Sequence, residues 1–389
     1  MKVYLDNSAT TAVDESVVDE MLPYFSKIYG NASSFHSFGR DAKMALEKAR
    51  IKVAEILNAE TDEIIFTGCG TESDNIAIFG TLNSFNKKGH IITTKIEHHA
   101  VLYCFEHLQK LGYETTYLNV DKTGRISIDE FKKSIRDDTL LVSIMHANNE
   151  VGTLQPIEEI GSIIKEINKT RKDKIYFHTD AVQSAGKIKL DVKKLGVDYL
   201  AISAHKFNGP KGVGVLYKKR GSNISSIMFG GHHENNLRPG TENIPCIMGL
   251  AKALENSVNS LEKNYSNILS LRNKLRDGII KKIPNVLING SDEYFLPNIL
   301  NVSFNFIEGE SLLARLDAKQ IAASTGSACA TGSLSHVLAA LGIDALAIQG
   351  AIRFSFGHNN TAEEIDYVLE VLPETVEGLR KMSPLWKGG

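Results

Sequence analysis

Apolar positions along this chain follow two different periods. Across residues 40–57 they recur at helical spacing (Ala42, Ala45, Leu46, Ala49, Val53, Ile56, Leu57), which predicts a long helix buried along one face. Short apolar runs at 63–66, 90–94, 139–145, 174–179 and 197–203 read instead as buried strands. Helical segments at 71–79 and 100–111 fall between them, and 212–217 reads as a further strand. A short strand at 3–5 and an amphipathic helix over about 15–25 precede this region. Such alternation implies an α/β fold with a largely parallel sheet covered by helices on both faces.

The pattern changes near residue 243. Helical periodicity runs from there to 282, with polar Asn256, Asn259 and Ser260 marking a hinge. Strands at 298–304 and 352–356 and helices at 308–316 and 361–381 then predict a smaller α+β domain. The expected division is a large domain over 15–256 and a small domain formed by 1–14 with 257–389. A chain of 389 residues has the length for two such cores.

Charge narrows the function. Forty-four basic residues against 46 acidic ones leave a formal charge of -2, so no basic field draws the chain to nucleic acid or anionic lipid. No apolar run is long enough to span a bilayer, and the expectation is a cytoplasmic protein working on small molecules. The four cysteines, Cys69, Cys104, Cys246 and Cys329, form no CxxC pair, so they read as free thiols and no metal site is expected.

In parallel sheets covered on both faces, ligands bind beyond the carboxyl ends of the strands. The residues just past the predicted strands are Gly68-Cys69-Gly70-Thr71-Glu72, Glu97-His98, His146-Ala147-Asn148-Asn149, Asp180 with Gln183, and Ser203-Ala204-His205-Lys206. Polar residue types thus collect on one rim. Lys206 sits in a tight turn, where a lysine is either a Schiff-base nucleophile or an ordinary solvated side chain. Asp180 at a strand end either caps the next turn or pairs with a protonated ring nitrogen. His98 is either structural or placed to stack on a ring and move protons.

Gly70 and Thr71 at a strand-to-helix turn, with Ser203, His205 and Thr241 as further donors, make a plausible phosphate cradle. Neither a GxxxxGK[ST] loop nor a GxGxxG fingerprint is present. An aldehyde partner, a ring-nitrogen partner and a phosphate cradle are together the three handles of pyridoxal 5'-phosphate.

Two further residues stand out. Cys329 lies in the run 323–333, whose small residues cannot build a core, so a mobile loop carrying an exposed, reactive thiol is expected. The other three cysteines are expected to pack. Arg353 interrupts an apolar strand and must meet a carboxylate, either a structural one or the substrate's. Asn31, in a loop of small polar residues, reads as turn chemistry or a ligand contact.

The ordered set Tyr4-Leu5-Asp6-Asn7-Ser8-Ala9-Thr10-Thr11, Thr71-Glu72-Ser73-Asp74-Asn75, Asn148-Asn149-Glu150-Val151-Gly152, His178-Thr179-Asp180-Ala181-Val182-Gln183-Ser184, Ser203-Ala204-His205-Lys206, Arg238-Pro239-Gly240-Thr241 and Ser324-Thr325-Gly326-Ser327-Ala328-Cys329 resembles the cysteine desulfurases of the NifS/IscS group. The resemblance runs from Tyr4 to Trp386. It implies a fold-type I, pyridoxal-phosphate-dependent enzyme with a mostly parallel seven-stranded sheet, acting as a homodimer. It also implies roles: Lys206 bonded to the cofactor aldehyde, Asp180 on the pyridine nitrogen, Gln183 on the ring hydroxyl and His98 stacked on the ring. Gly70, Thr71, Ser203 and His205 would hold the phosphate, joined by Thr241 from the partner subunit, while Asn31, Asn149 and Arg353 bind the substrate carboxylate. L-cysteine would become L-alanine, and its sulfur a persulfide on Cys329 that passes to an acceptor protein for iron-sulfur cluster assembly or tRNA thiolation.

The chain departs from that group's pattern in places. Cys69 and Gly70 stand where Gly and Ala are usual, and Pro239 where Ser is common. The segment from Cys329 to His336 is two residues short, and the sequence stops at Trp386-Lys387-Gly388-Gly389 without the extension used to engage a scaffold. These differences bear on the acceptor. A selenocysteine lyase, or a catalytically silent sulfur-transfer scaffold, are the alternatives that the sequence leaves in play.

Overall fold

The structure, a computed structural model, describes residues 1–325 and 334–386. Among the described residues, seven strands form the main sheet: β2 (Ile64–Thr67), β3 (His90–Thr94), β4 (Glu114–Leu118), β5 (Thr139–Ser143), β6 (Tyr176–Asp180), β7 (Tyr199–Ser203) and β8 (Gly214–Lys218). Their spatial order is β2-β8-β7-β6-β5-β3-β4. β8 alone runs against its neighbours, pairing antiparallel with both β2 and β7, and the remaining pairings are parallel. The carboxyl ends of β2, β5, β6 and β7 therefore open on one rim. The predicted α/β class and the seven-stranded, mostly parallel sheet are both observed.

Helices cover both faces, as buried strands on two sides require. The helix Ser37–Leu57 packs with the helix Ile244–Asn259 over one face, burying Leu46, Val53 and Leu57 with Ile202 and Val215. On the other face the helix Gly70–Asn83 and the helix His99–Lys110 bury Ile76, Ile78, Val101 and Phe105 against Ile65, Ile91 and Leu216.

A second core is built on β10 (Ile299–Phe304), flanked by antiparallel β9 (Val286–Asn289) and β12 (Ala351–Ser355). The helices Leu261–Lys282, Gly309–Ala318 and Ala362–Arg380 complete it. The amino terminus belongs to this core: β1 (Val3–Tyr4) pairs in parallel with β11 (Ile321–Ala322), and Val3 and Leu5 are buried there. The next segment, residues 6–11, passes between the two cores and borders the site.

Two elements depart from expectation, and the hinge in the long helical run is located. The helix expected over 15–25 is two pieces, Glu15–Met21 and Pro23–Ser26, because Pro23 has no N–H to continue the ladder. The helical run 243–282 breaks at Ser260 (φ -103°, ψ 9°), within the polar stretch read as a hinge. β4 was not anticipated: its residues are half exposed on a sheet edge, so its apolar signal is weak.

Candidate active site

A cavity of about 300 Å³ opens on the rim, with Lys206, Asp180, His98 and Arg353 all in its wall. Lys206 comes after β7 in a short 3-10 turn, Ala204–Lys206. Its Nζ donates to the carbonyls of Ser8 (2.7 Å) and Ala9 (2.8 Å), which fixes the ammonium inside the cavity rather than in solvent. Those carbonyls were not anticipated, since they come from almost 200 residues away in the chain. The turn is held from behind by Lys187, whose Nζ donates to the Lys206 carbonyl at 2.9 Å.

Asp180 ends β6 and is buried. One carboxylate oxygen accepts from the Val182 N–H at 2.8 Å. Burial raises its pKa to about 6, against the opposing pull of that hydrogen bond and of Lys206. Beside it Asp74, from the helix Gly70–Asn83, is fully buried, and burial together with Asp180 holds it well above the ordinary carboxylate range. Asp74 Oδ1 lies 3.3 Å from His178 Nε2. Burial lowers His178 to about 3, so this pair is uncharged.

His98 caps the helix His99–Lys110, its Nδ1 accepting from the Ala100 N–H at 3.2 Å. Burial, then Lys206, His99 and His336, lower its pKa to about 4, leaving a neutral imidazole that, with Nδ1 accepting, carries its hydrogen on Nε2. His99 and His336, whose rings lie 4.9 Å apart, extend the cavity wall beyond it. Gln183 turns its Nε2 to the Ser8 carbonyl at 3.0 Å, while its buried Oε1 has no partner among the described residues.

The helix Gly70–Asn83 points its first turn at the cavity. Its cap residue, Cys69, makes no side-chain capping bond, so the first amides keep the donors that every helix start leaves over. A Cβ on Gly70 would come within 2.7 Å of Val182 Cγ2 and 3.5 Å of Ser203 Cβ, so glycine keeps the space between them open. Thr71, Ser203 and His205 also line the cavity. Burial, followed by Lys206 and Lys211, lowers His205 to about 4, and its Nδ1 meets Thr10 Oγ1 at 3.1 Å.

Arg353 projects from β12 and is 3% exposed. Its Nη2 is 2.9 Å from Asp6 Oδ1 and its Nη1 donates to the Asn149 carbonyl at 2.9 Å. The carboxylate expected of it is thus a structural one, Asp6, which nothing in the local sequence marks. Its Nε has no partner among the described residues.

Other expected residues fall elsewhere. Asn31 is exposed, accepts from the Ser33 N–H at 2.9 Å and does not line the cavity. Thr241 is exposed and outside the cavity as well, beside Gly240 with its positive φ of 102°. Cys329 lies outside the described residues. Cys104 is buried, donates to the Ala100 carbonyl and is pushed up to about 12 by burial, which makes it unreactive. Cys69 departs from the packing role expected of it, because the helix start it caps forms part of the cavity wall.

Comparison with known proteins places this geometry. Residues 3–368 match the family described as Aminotransferase class-V. The chain is 52% identical over 386 residues to "Cysteine desulfurase IscS" of Methanosarcina thermophila, covering 98% of this chain and 94% of that one. It is 47% identical to the protein of the same name from Dictyoglomus turgidum, covering 99% and 98%. Among solved structures, one described as "NIFS-like protein" superposes with a TM-score of 0.92 at 43% identity, covering 97% of this chain and all of that one. Another, "SspA in complex with cysteine", gives a TM-score of 0.80 at 34% identity over 93% of this chain and all of that one.

Proposed function

We propose that this chain, which belongs to the class-V aminotransferase family, is a cysteine desulfurase that converts L-cysteine to L-alanine and takes the sulfur onto its own Cys329. The observation that carries this reading is the convergence of Lys206, Asp180, His98 and Arg353 on one cavity from four separate elements. Relatives of the same name match nearly the whole chain.

The residues present fit pyridoxal phosphate. Gly70 leaves open the space that a Cβ would fill, the uncapped helix start offers amides to an anion, and the orphaned Gln183 Oε1 awaits a ring substituent. When bound, the cofactor supplies an electrophilic aldehyde and an electron-withdrawing ring. Gly70, Thr71, Ser203 and His205 would hold its phosphate, Asp180 its ring nitrogen, Gln183 its ring hydroxyl and Lys206 its aldehyde. Asp180, whose pKa is raised by burial, would keep its charge if a cationic ring nitrogen paired with it.

Within that frame the chain's own groups have distinct tasks. Neutral His98, its Nδ1 engaged as an acceptor, presents an Nε2–H to the cavity and donates a proton or hydrogen bond there. Arg353 binds the substrate carboxylate, which competes with Asp6 for the guanidinium and reaches the unpaired Nε. The net reaction joins L-cysteine and the Cys329 thiol to give L-alanine and a Cys329 persulfide. Cys329 attacks the substrate sulfur, the carbon–sulfur bond breaks, and a proton replaces sulfur on carbon.

We assign residues 15–256 to cofactor binding and 1–14 with 257–389 to a smaller domain carrying the cysteine segment. The reading includes a homodimer in which Thr241 serves the partner's phosphate site; the exposure of Thr241 supports this. It also includes a cytoplasmic location and an acceptor protein for iron-sulfur assembly or tRNA thiolation. No described helix is long and apolar enough to cross a membrane.

The test is sulfide and alanine release from L-cysteine by the purified protein with a thiol reductant. Cys329→Ser should keep the visible cofactor band and lose sulfide release. Wild-type rates in that variant would overturn the persulfide assignment.

A further inference from the structure

The turn that carries His98 is held from 239 residues further along the chain, where His336 Nε2 lies 3.0 Å from the Glu97 carbonyl oxygen. A carbonyl oxygen only accepts, so Nε2 bears the hydrogen and the imidazole is the donor. That carbonyl belongs to the peptide joining Glu97 to His98. The peptide is planar and moves as one unit, so its orientation sets the direction in which the His98 side chain leaves the backbone. Other bonds fix the neighbouring positions: Asn148 Nδ2 donates to the Ile96 carbonyl at 2.9 Å, and Glu97 Oε1 accepts from the Met145 N–H at 3.0 Å and from Thr94 Oγ1 at 2.7 Å.

His336 is itself firmly seated. It opens the helix His336–Ala340, whose cap residue, Ser335, accepts from the Leu338 N–H at 3.1 Å and donates to Glu150 Oε2 at 2.6 Å. Val337 and Leu338 are buried in one apolar cluster with Ile96, Met145 and Val151. The His336 ring lies 4.9 Å from that of His99, and both residues line the cavity. The cap and the apolar side chains hold this helix whichever ring stands at 336. The bond from the imidazole to the Glu97 carbonyl is therefore separable from the packing around it.

We propose that His336 is a positioning residue for the desulfurase reaction, acting through the Glu97 carbonyl to aim the His98 Nε2–H into the cavity. The inference rests on the function proposed above and gives it a second histidine whose effect passes through the first. Hydrogen bonds weaken steeply as they bend, so a small swing of the Glu97–His98 peptide is felt at Nε2. A misplacement of about 1 Å at a reacting group can cost about 10²-fold in rate, and a turn loosened by one bond should cost about tenfold. A ring present only to pack on His99 would serve as well as phenylalanine. The bond to the carbonyl needs an N–H, which glutamine offers at the same number of bonds from Cα as histidine Nε2.

The test compares His336→Phe with His336→Gln in the cofactor-loaded protein. Both should keep the visible band. In His336→Phe the kcat for sulfide release should fall about tenfold while the KM for L-cysteine changes less than about twofold, and His336→Gln should recover most of the loss. Pyridoxal phosphate is achiral, so the circular dichroism of its visible band reports the groups set around it. That signal should change in His336→Phe and return in His336→Gln. Placed in a His98→Asn background, His336→Phe should lower kcat no further, because the two residues act in series. If His336→Phe loses the parent's thermal transition, His336→Leu replaces it with the same expectations. A parent that releases no sulfide sinks the desulfurase reading, and this inference with it. With an active parent, an undiminished kcat in His336→Phe, equal losses in the Phe and Gln variants, or a full further loss in the His98→Asn background overturns this inference alone.

Discussion

Arg353 and Asp6, 347 residues apart in the chain, meet at 2.9 Å, and their bridge ties β12 to the segment that carries the Ser8 and Ala9 carbonyls into the cavity wall. Arg353 is buried and Asp6 partly exposed. Breaking a buried pair from one side costs roughly 3–5 kcal/mol, and an Asn at position 6 still offers a carbonyl to the guanidinium. Asp6→Asn should therefore destabilise the protein by about 2 kcal/mol in denaturant titration. Arg353→Lys loses the forked donor, and the KM for L-cysteine should rise about tenfold or more with a smaller change in kcat. An unchanged KM would remove Arg353 from the substrate's carboxylate.

His98 has two separable duties. It caps the helix His99–Lys110 through Nδ1, a task asparagine also performs, and it presents an Nε2–H to the cavity. His98→Asn should unfold within about 1 kcal/mol of the parent, because the cap persists. Its kcat should fall by about 10²–10⁴, the usual worth of a general acid–base group. A variant as active as the parent would reduce His98 to a cap.

At Gly70 the geometry predicts a graded response. Alanine there needs only Val182 to give way, since the closest atom is the Cγ2 methyl at 2.7 Å. Leucine would fill the space between Val182 and Ser203 outright. Gly70→Ala should retain pyridoxal phosphate with little change, and Gly70→Leu should weaken it about tenfold or more, read from the visible band against added cofactor. Equal retention by both variants would move the phosphate away from this helix start.

Much of the site is legible in the sequence because the rule that places ligands beyond the carboxyl ends of parallel strands needs only strand positions. Asp180, Ser203, His205, Lys206 and His98 lie directly past predicted strands, and all border the cavity. The residues that escape notice are those whose partners come from far along the chain. Nothing local marks Asp6 for Arg353, the Ser8 carbonyl for Lys206, or Asn298 as an amide without partners. Lys187 resembles any other lysine until the fold sets its Nζ on the Lys206 carbonyl. Asn31 and Thr241 carry the reverse lesson: the resemblance assigns them to the site, and one chain leaves both exposed outside it.

Acid stability depends on the buried imidazoles. Burial lowers His98, His146 and His205 to about 4 and His178 to about 3, against 6.5 for an unhindered histidine. Each is neutral in the folded protein and takes a proton readily only when unfolded. Their stabilising effect is therefore complete above pH 6.5 and is lost as pH falls toward 4. Glu97, raised to about 8, and Asp180, raised to about 6, act in the opposite sense, since each folded carboxyl holds its proton more tightly than the unfolded one. Their stabilisation is fully present below about 4 and lost as pH rises through those values. Asp74, Glu150, Asp198 and Asp14, also raised by burial, act with these carboxyls, and His90 and His99, also lowered by burial, act with the histidines, so the two sets oppose each other across this range. Each of the four strongly lowered imidazoles contributes a fall of up to about 2–3 kcal/mol in the unfolding free energy between pH 6.5 and 4.5, a slope read by denaturant titration at each pH. Replacing His146, which bonds Ser184 Oγ at 3.0 Å, with Gln should flatten that slope. A slope unchanged in His146→Gln would show that its imidazole charges as easily folded as unfolded.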